Sequence, residues 1–229
     1  MKVSALIPAK RFRNAKQRLG TLLPCGDREA LAQAMFRDVL RAAVAAPGLT
    51  GTYVVTADDE VAATAASLAA RVIREPAERG ETDAVNFARD ALQKIGCEAV
   101  LIIPGDVPLV RSADIDAVLA QVPARAESGF ALLVPSHDRM GTNALLLAPP
   151  DIIKLRFGYD SFSFHSSQVS ARGLPLRFIE NERIALDIDE PKDLQRLLSF
   201  PDESQESVRL AKAMLAQYWG GNVRGSGGV

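Results

Sequence analysis

Five cations fall within nine residues near the start of the sequence: Lys10, Arg11, Arg13, Lys16 and Arg18. Side chains of one sign repel each other unless they splay into solvent or close on an anion. Lys and Arg neutralise phosphate oxygens through charge-assisted hydrogen bonds, so the segment is either a solvated charged turn or a polyphosphate clamp. Neither GxxxxGK[ST] nor GxGxxG occurs, which counts against a P-loop kinase and a Rossmann dehydrogenase. Two acidic segments lie further along. "LIIPGDVPLV" (101–110) is an apolar run that reaches Pro104-Gly105 and then presents Asp106, a turn-former or a metal ligand. "LDIDEPKDL" (186–194) carries Asp187 and Asp189, although Asp189 or Glu190 can also be only the cap of a helix opening with Pro191. Together the two segments suit Mg²⁺, which takes one or two protein carboxylates and fills its other positions with phosphate oxygens and water. Lys10 or Lys16 then balances the remaining phosphate charge.

The elements that must position these groups follow from periodicity. "VSALIP" (3–8), "GTYVVTADD" (51–59), "RVIREP" (71–76), "EAVLIIPGD" (98–106), "GFALLVPS" (129–136) and "TNALLLAPP" (142–150) read as strands. Helices are expected at 27–46 with an Asp cap, at 60–70, at 83–95, at 112–122 with a Ser cap, and at 206–219. The β-α-β alternation predicts an open, mostly parallel sheet covered by helices on both faces. The later strands lack full intervening helices, so that part of the sheet is expected to be mixed or antiparallel. Ligands of such sheets sit beyond the carboxyl ends of the strands, where the basic loop and Asp106 fall.

The chain of 229 residues is 48% hydrophobic with formal net charge -1, enough for one sizeable α/β domain and without the basic excess of a nucleic-acid binder. Cys25 and Cys97 make neither a disulfide framework nor a zinc motif. The first ten residues are too short in apolar content for a signal peptide, and no run approaches the ~20 residues of a membrane span. A cytoplasmic protein is expected, with no nucleic-acid or membrane partner. The organisation expected is a domain over 1–200, a helical extension over 201–219 serving packing or a subunit contact, and a disordered Gly-rich tail over 220–229.

Five motifs in order resemble the CofC/FbiD guanylyltransferases of coenzyme F420 biosynthesis: "IPAK" with "AKQRL", "IPGDVPLV", "DRMGTNALLL", "FGYDSFSFH" (157–165) and "LDIDEPKDL". The resemblance covers about residues 3 to 199. It implies a nucleotidyltransferase fold of the MobA-like, GT-A-related kind. It also implies transfer of GMP from GTP to 2-phospholactate, phosphoenolpyruvate or 3-phosphoglycerate, with release of pyrophosphate. By the same resemblance Asp106 with Asp187 or Asp189 would hold Mg²⁺, and Lys10, Arg11, Lys16 and Arg18 would steady the triphosphate. Thr142, Gly158 and Ser161 would form the acceptor pocket, and a homodimer is expected. His165 reads as a structural hydrogen-bonding residue or an anion contact, and His137 as a surface loop residue.

One stretch departs from the family pattern. Where relatives open a helix near the base with a Gly-Leu-Asn-like stretch, this chain has Glu81-Thr82-Asp83. Asp83 can accept from guanine N1–H and N2–H₂, or can be only a helix cap. The competing readings are another transferase of the same fold, of cytidylyl or molybdopterin-guanylyl type, and a nucleotide-binding module without activity. Glycosyltransferases of this kind place D-x-D after the central strand, whereas this chain has Pro104-Gly105-Asp106 there; molybdopterin relatives open with an LAGG-type loop, which is absent. The inactive module would have lost the cations or the carboxylates, and both are present.

Overall fold

Apolar segments rich in Val, Leu and Ile become β1 (Val3–Pro8), β2 (Gly51–Thr56), β3 (Arg71–Arg74), β4 (Ala99–Ile102), β5 (Phe130–Pro135) and β6 (Thr142–Ala148). The computed structural model describes residues 1–13, 15–123, 129–201 and 204–219, and in it the strands form one sheet in the order β3-β2-β1-β4-β6-β5. β3, β2, β1 and β4 are parallel, while β6 runs antiparallel to both of its neighbours. The mixed character expected of the later strands is thus confined to one reversed strand. β4, β5 and β6 are buried along their whole length, which is why they read as continuous apolar runs without alternation.

Helices α1 (Cys25–Val44), α2 (Asp59–Ser67), α3 (Glu81–Lys94), α4 (Ser112–Leu119), α5 (Ser161–Ala171), α6 (Pro191–Ser199) and α7 (Glu206–Trp219) cover both faces. Ala5, Ile7 and Leu101 on one face pack with Met35 of α1, Ile115 of α4, Leu197 of α6 and Val208 of α7. Leu6, Val55 and Ile102 on the other pack with Val85 of α3 and Val169 of α5. The helix expected at 206–219 spends its apolar face, Val208, Ala211, Met214 and Leu215, in the main core. Its first turn is capped from another helix: buried Asp38 of α1 accepts from the Glu206 N–H (3.0 Å), the Ser207 N–H (2.8 Å) and the Ser207 hydroxyl (2.7 Å). The expectation for 220–229 lies outside the described residues.

Several boundaries differ from the sequence expectations. α1 starts at Cys25 after Pro24, leaving Asp27 in its first turn instead of at the cap. α3 starts at Glu81, not Asp83. Arg111, not Ser112, is the N-cap of α4, its N–H bonded to Asp114 Oδ2 at 3.0 Å. β4 ends at Ile102, so Asp106 stands in the turn beyond it; Pro104 has no N–H with which to prolong the ladder. Residues from Ser161 onward, where no helix is expected from the sequence, form α5.

β1 lies between β2 and β4, so the order reverses there and the carboxyl ends of β1 and β4 part to leave a crevice. The turn after β4 lies close against α1. A Cβ on Gly105 would stand 3.1 Å from Phe36 Cδ2, which explains the glycine before Asp106.

Candidate active site

Two adjoining cavities open at that crevice. The first, about 580 Å³, is lined by Lys10, Arg11 and Lys16 from the loop after β1, by Glu75, Glu78 and Glu81, and by Asp106. The second, about 430 Å³, is lined by Arg18, His137, Thr142, Gly158, Ser161 and Asp187. Glu81, Pro104, Asp106 and Asp189 belong to both and form the shared wall.

Lys16 reaches that wall from a left-handed backbone (φ 52°), a conformation that costs free energy for any residue but glycine. Its Nζ donates to Asp106 Oδ2 at 2.6 Å and to Asp189 Oδ1 at 2.8 Å. Burial would lower the ammonium pKa, but the two carboxylates outweigh it and hold the group well above the usual lysine value. Asp189 feels the converse: burial acts to raise it, yet Lys16 wins and its carboxyl lies below the usual range. Asp187 is pushed up by burial and then by the charge of Asp106, opposed by a 3.0 Å hydrogen bond from Asn143 Nδ2. Asn143 is buried and also donates to the Ile184 carbonyl at 3.1 Å, so its amide is fixed and fixes Asp187 in turn. The backbone joins the two acidic segments directly, with the Ile188 N–H donating to the Asp106 carbonyl at 3.1 Å.

Asp106 and Asp189 therefore already converge on one cationic centre, the Lys16 ammonium, with Asp187 beside them. The donors are all carboxylate oxygens, the set a hard divalent cation prefers. Among the described residues no group of three or more His, Cys, Asp or Glu stands at metal-ligand spacing. Mg²⁺ needs only one or two carboxylates when phosphates complete its shell, so the residues fit it.

The second cavity is floored by hydroxyls. Ser161 Oγ accepts from the Thr142 N–H at 3.0 Å, and Thr142 Oγ1 lies 3.0 Å from His165 Nδ1. His165 Nε2 accepts from the Arg156 N–H at 3.2 Å, which leaves the proton of the neutral ring on Nδ1, donating to Thr142. Both hydroxyl hydrogens thereby stay free for an acceptor in the cavity. Burial first, then Arg156 and Arg89, lowers His165 to about 4, so the ring is neutral and structural. Gly158 (φ 99°) and Asp160 (φ 53°) make the turn that brings Ser161 to the first position of α5, where the Ser161 N–H closes on the Gly158 carbonyl at 3.2 Å. The Phe157 N–H, bonded to Thr82 Oγ1 at 3.0 Å, ties this turn to the start of α3.

Most residues singled out in the sequence gather here; three stand differently. Asp83 is exposed and lines neither cavity; it lines a third pocket with Arg79 and with Glu75, which that pocket shares with the first cavity. Glu81, two positions earlier on the helix, faces the site instead, because residues two apart diverge by ~200° on a helix. Arg18 lines the second cavity, not the first with the other cations, and pairs with Glu190 at 3.4 Å. His137 lies in the turn between β5 and β6, as expected of a loop residue, but is half-buried in the second cavity wall, its N–H bonded to the Ala185 carbonyl at 2.9 Å. Asn143 and Glu81 had no role in the sequence reading. Asn143 lay inside the quoted "DRMGTNALLL" and Glu81 inside the departing Glu81-Thr82-Asp83, and each was one helix or strand phase from being identifiable.

The profile of the family described as guanylyl transferase CofC like matches residues 3–215. A phosphoenolpyruvate guanylyltransferase of Conexibacter woesei is 36% identical over 217 residues, 95% of this chain and 96% of that one. A 2-phospho-L-lactate guanylyltransferase of Methanothermobacter thermautotrophicus is 33% identical over 198 residues, 86% and 85% of the two chains. A 3-phospho-D-glycerate guanylyltransferase of Phenylobacterium zucineum is 32% identical over 200 residues, 86% and 90%. Among solved structures, a Desulfovibrio desulfuricans chain described as a nucleotide-diphospho-sugar transferase superposes with a TM-score of 0.73 at 18% identity, covering 95% of this chain and 99% of that one.

Proposed function

The chain belongs to the CofC-like guanylyl transferase family, and from that premise we propose how its two cavities divide the reaction. It is a GTP-dependent guanylyltransferase that joins GMP to a phosphorylated three-carbon acid and releases pyrophosphate, in the coenzyme F420 biosynthesis that the family serves. GTP occupies the first cavity, with Lys10 and Arg11 on its triphosphate; the acid occupies the second, with Thr142, Gly158, Ser161 and Arg18 on its anionic groups. The α-phosphorus then lies at the shared wall. The single observation that carries this division is that Asp106 and Asp189, the carboxylates converging on Lys16, stand in the wall common to both cavities.

The acceptor's phosphate oxygen attacks the α-phosphorus in line. The bond from that phosphorus to the α–β bridging oxygen breaks, and pyrophosphate leaves with the electron pair. A phosphate monoester is already ionised at pH 7, so no general base is required, in keeping with a neutral, structural His165. Two polyanions must approach one another, so positioning and charge neutralisation carry most of the rate. Nucleotidyltransferases generally use a divalent metal; here Mg²⁺ held by Asp106 with Asp187 or Asp189 would supply that neutralisation at the reacting phosphates. Lys16 is the side chain nearest to those carboxylates and contributes its charge to the same phosphates.

An end-point assay with Mg²⁺, each of the four NTPs and each of the three acids tests this reading. Pyrophosphate release together with a guanosine-diphospho adduct of the right mass, for GTP and at least one acid, is the expected result. Release with a different NTP, or with no acid at all, overturns it.

A further inference from the structure

Glu81 is the first residue of α3 and stands in the wall shared by both cavities, beside Asp106 and Asp189. Among the described residues its carboxylate has no hydrogen-bond or ion-pair partner. The charges acting on it are Asp106 and Asp189, which oppose its ionisation, and Lys10 and Lys16, which favour it. A half-buried carboxylate without a donor is costly, and beside two other carboxylates it is doubly so. Glu81 faces the open cavities, where solvent, or a substrate group that displaces it, supplies the donor.

We propose that Glu81 is a specificity-determining residue that accepts a hydrogen bond from a free hydroxyl of the acceptor, so that this chain selects a phosphorylated three-carbon acid bearing such a hydroxyl. That is the chemistry of 3-phosphoglycerate. Phosphoenolpyruvate and 2-phospholactate carry their phosphate on the only candidate oxygen and offer no hydroxyl. Facing either of them, Glu81 adds one more negative group to an anion and stays unpaired. A site built to hydrogen-bond a hydroxyl rejects the analogue that lacks it, because its own polar group is left without a partner. The inference rests on the guanylyltransferase reading.

Two placements favour the acceptor over the nucleotide as the donor. Glu81 shares the second cavity with Thr142 and Ser161, whose free hydroxyl hydrogens hold an anionic acceptor within the same space. It also lies with Asp106 and Asp189 at the phosphate end of the first cavity, whereas guanine is removed from the α-phosphate by the whole ribose. A hydroxyl, being both donor and acceptor, can pair with the Glu81 carboxyl in either protonation state.

The test measures kcat/KM for 3-phosphoglycerate, phosphoenolpyruvate and 2-phospholactate at saturating GTP and Mg²⁺. Wild type, Glu81→Ala and Glu81→Gln are compared, with melting curves to verify folding and product masses to identify each adduct. Wild type is expected to be most efficient with 3-phosphoglycerate. Glu81→Ala is expected to lower the ratio of that value to the phosphoenolpyruvate value about 10- to 100-fold, the loss of one charge-assisted hydrogen bond, chiefly through the acceptor KM. Glu81→Gln keeps an accepting oxygen and should restore part of the ratio. A wild type that prefers either hydroxyl-free acid overturns the inference alone. So does an equal loss on all three acids, which would mark a general charge role. A change in the GTP KM that vanishes with 2′-deoxy-GTP overturns it too, by assigning Glu81 to the ribose. Absence of any guanosine adduct overturns the function and the inference with it.

Discussion

Lys16 is held where a divalent cation is expected, bonded to Asp106 and Asp189 at 2.6 and 2.8 Å. The contact is a charge balance that the substrates would rearrange, because phosphates bring negative charge for Lys16 and draw a metal to the carboxylates. Replacing Asp106 by Asn keeps the shape of the turn and leaves Lys16 its bond to Asp189, so the fold should survive. Losing a metal-type carboxylate at the reacting phosphates removes several kcal/mol of transition-state stabilisation, and Asp106→Asn is expected to lower kcat about 100-fold or more. Activity near wild type, with unchanged melting, would remove Asp106 from the metal assignment. Asp106 was legible in the sequence as a site candidate because it follows a buried strand and is matched by a second acidic segment, Asp187 and Asp189, although Pro104-Gly105-Asp106 alone also reads as a turn. Glu81 was not. Whether position 81 or 83 faces the crevice depends on where α3 begins, and a helix start that slips by two residues turns a different carboxylate to the site.

At the scale of elements, β6 and α5 are joined through His165, which is wholly buried and bonded to Thr142 and to the Arg156 N–H. α5 escaped sequence reading for a physical reason. Its buried positions, Ser161, His165 and Val169, recur every four residues but are mostly polar, so the buried stripe has no hydrophobic period. The strands and the amphipathic α7 carry apolar faces; α7 and the strand starts were legible to within a residue, whereas β2, β3, β4 and β6 end two to four residues before the expected ends. The buried imidazole also makes a pH prediction. Its folded pKa, about 4, lies below the 6.5 of an ordinary histidine, so between those values the unfolded chain binds a proton that the folded chain refuses. Its contribution is therefore fully present above pH 6.5 and is lost as pH falls toward 4. In chemical denaturation wild type should lose about 2 kcal/mol more than His165→Gln between pH 7 and pH 5. Parallel losses in the two proteins would mean that the ring protonates freely in the folded state.

For the molecule as a whole, the reversal of strand order between β1 and β4 turns one crevice into two cavities with a common wall. Alternation of strands and helices made the parallel sheet legible, and with it the strand ends at which cations and carboxylates meet. The division of the cations was not legible, since Lys10, Arg11, Lys16 and Arg18 are one run in sequence. The 3-10 helix over Gln17–Thr21 separates them: Lys10, Arg11 and Lys16 line the first cavity, whereas Arg18 emerges on the second, next to Glu190. Glu190 also pairs with Lys192 at 3.1 Å, so two exposed cations share one carboxylate in the lining of the second cavity. An incoming acid can replace Glu190 as their counter-charge. If each cavity serves one substrate, charge removal on either side should separate the two Michaelis constants. Arg11→Ala is expected to raise the KM for GTP about five- to tenfold with little change for the acid, and Arg18→Ala to do the reverse by a similar factor. The pair is informative because both side chains are exposed and neither variant threatens the core. Arg18→Ala acting on GTP alone would return Arg18 to the triphosphate and require a single continuous nucleotide groove across the wall.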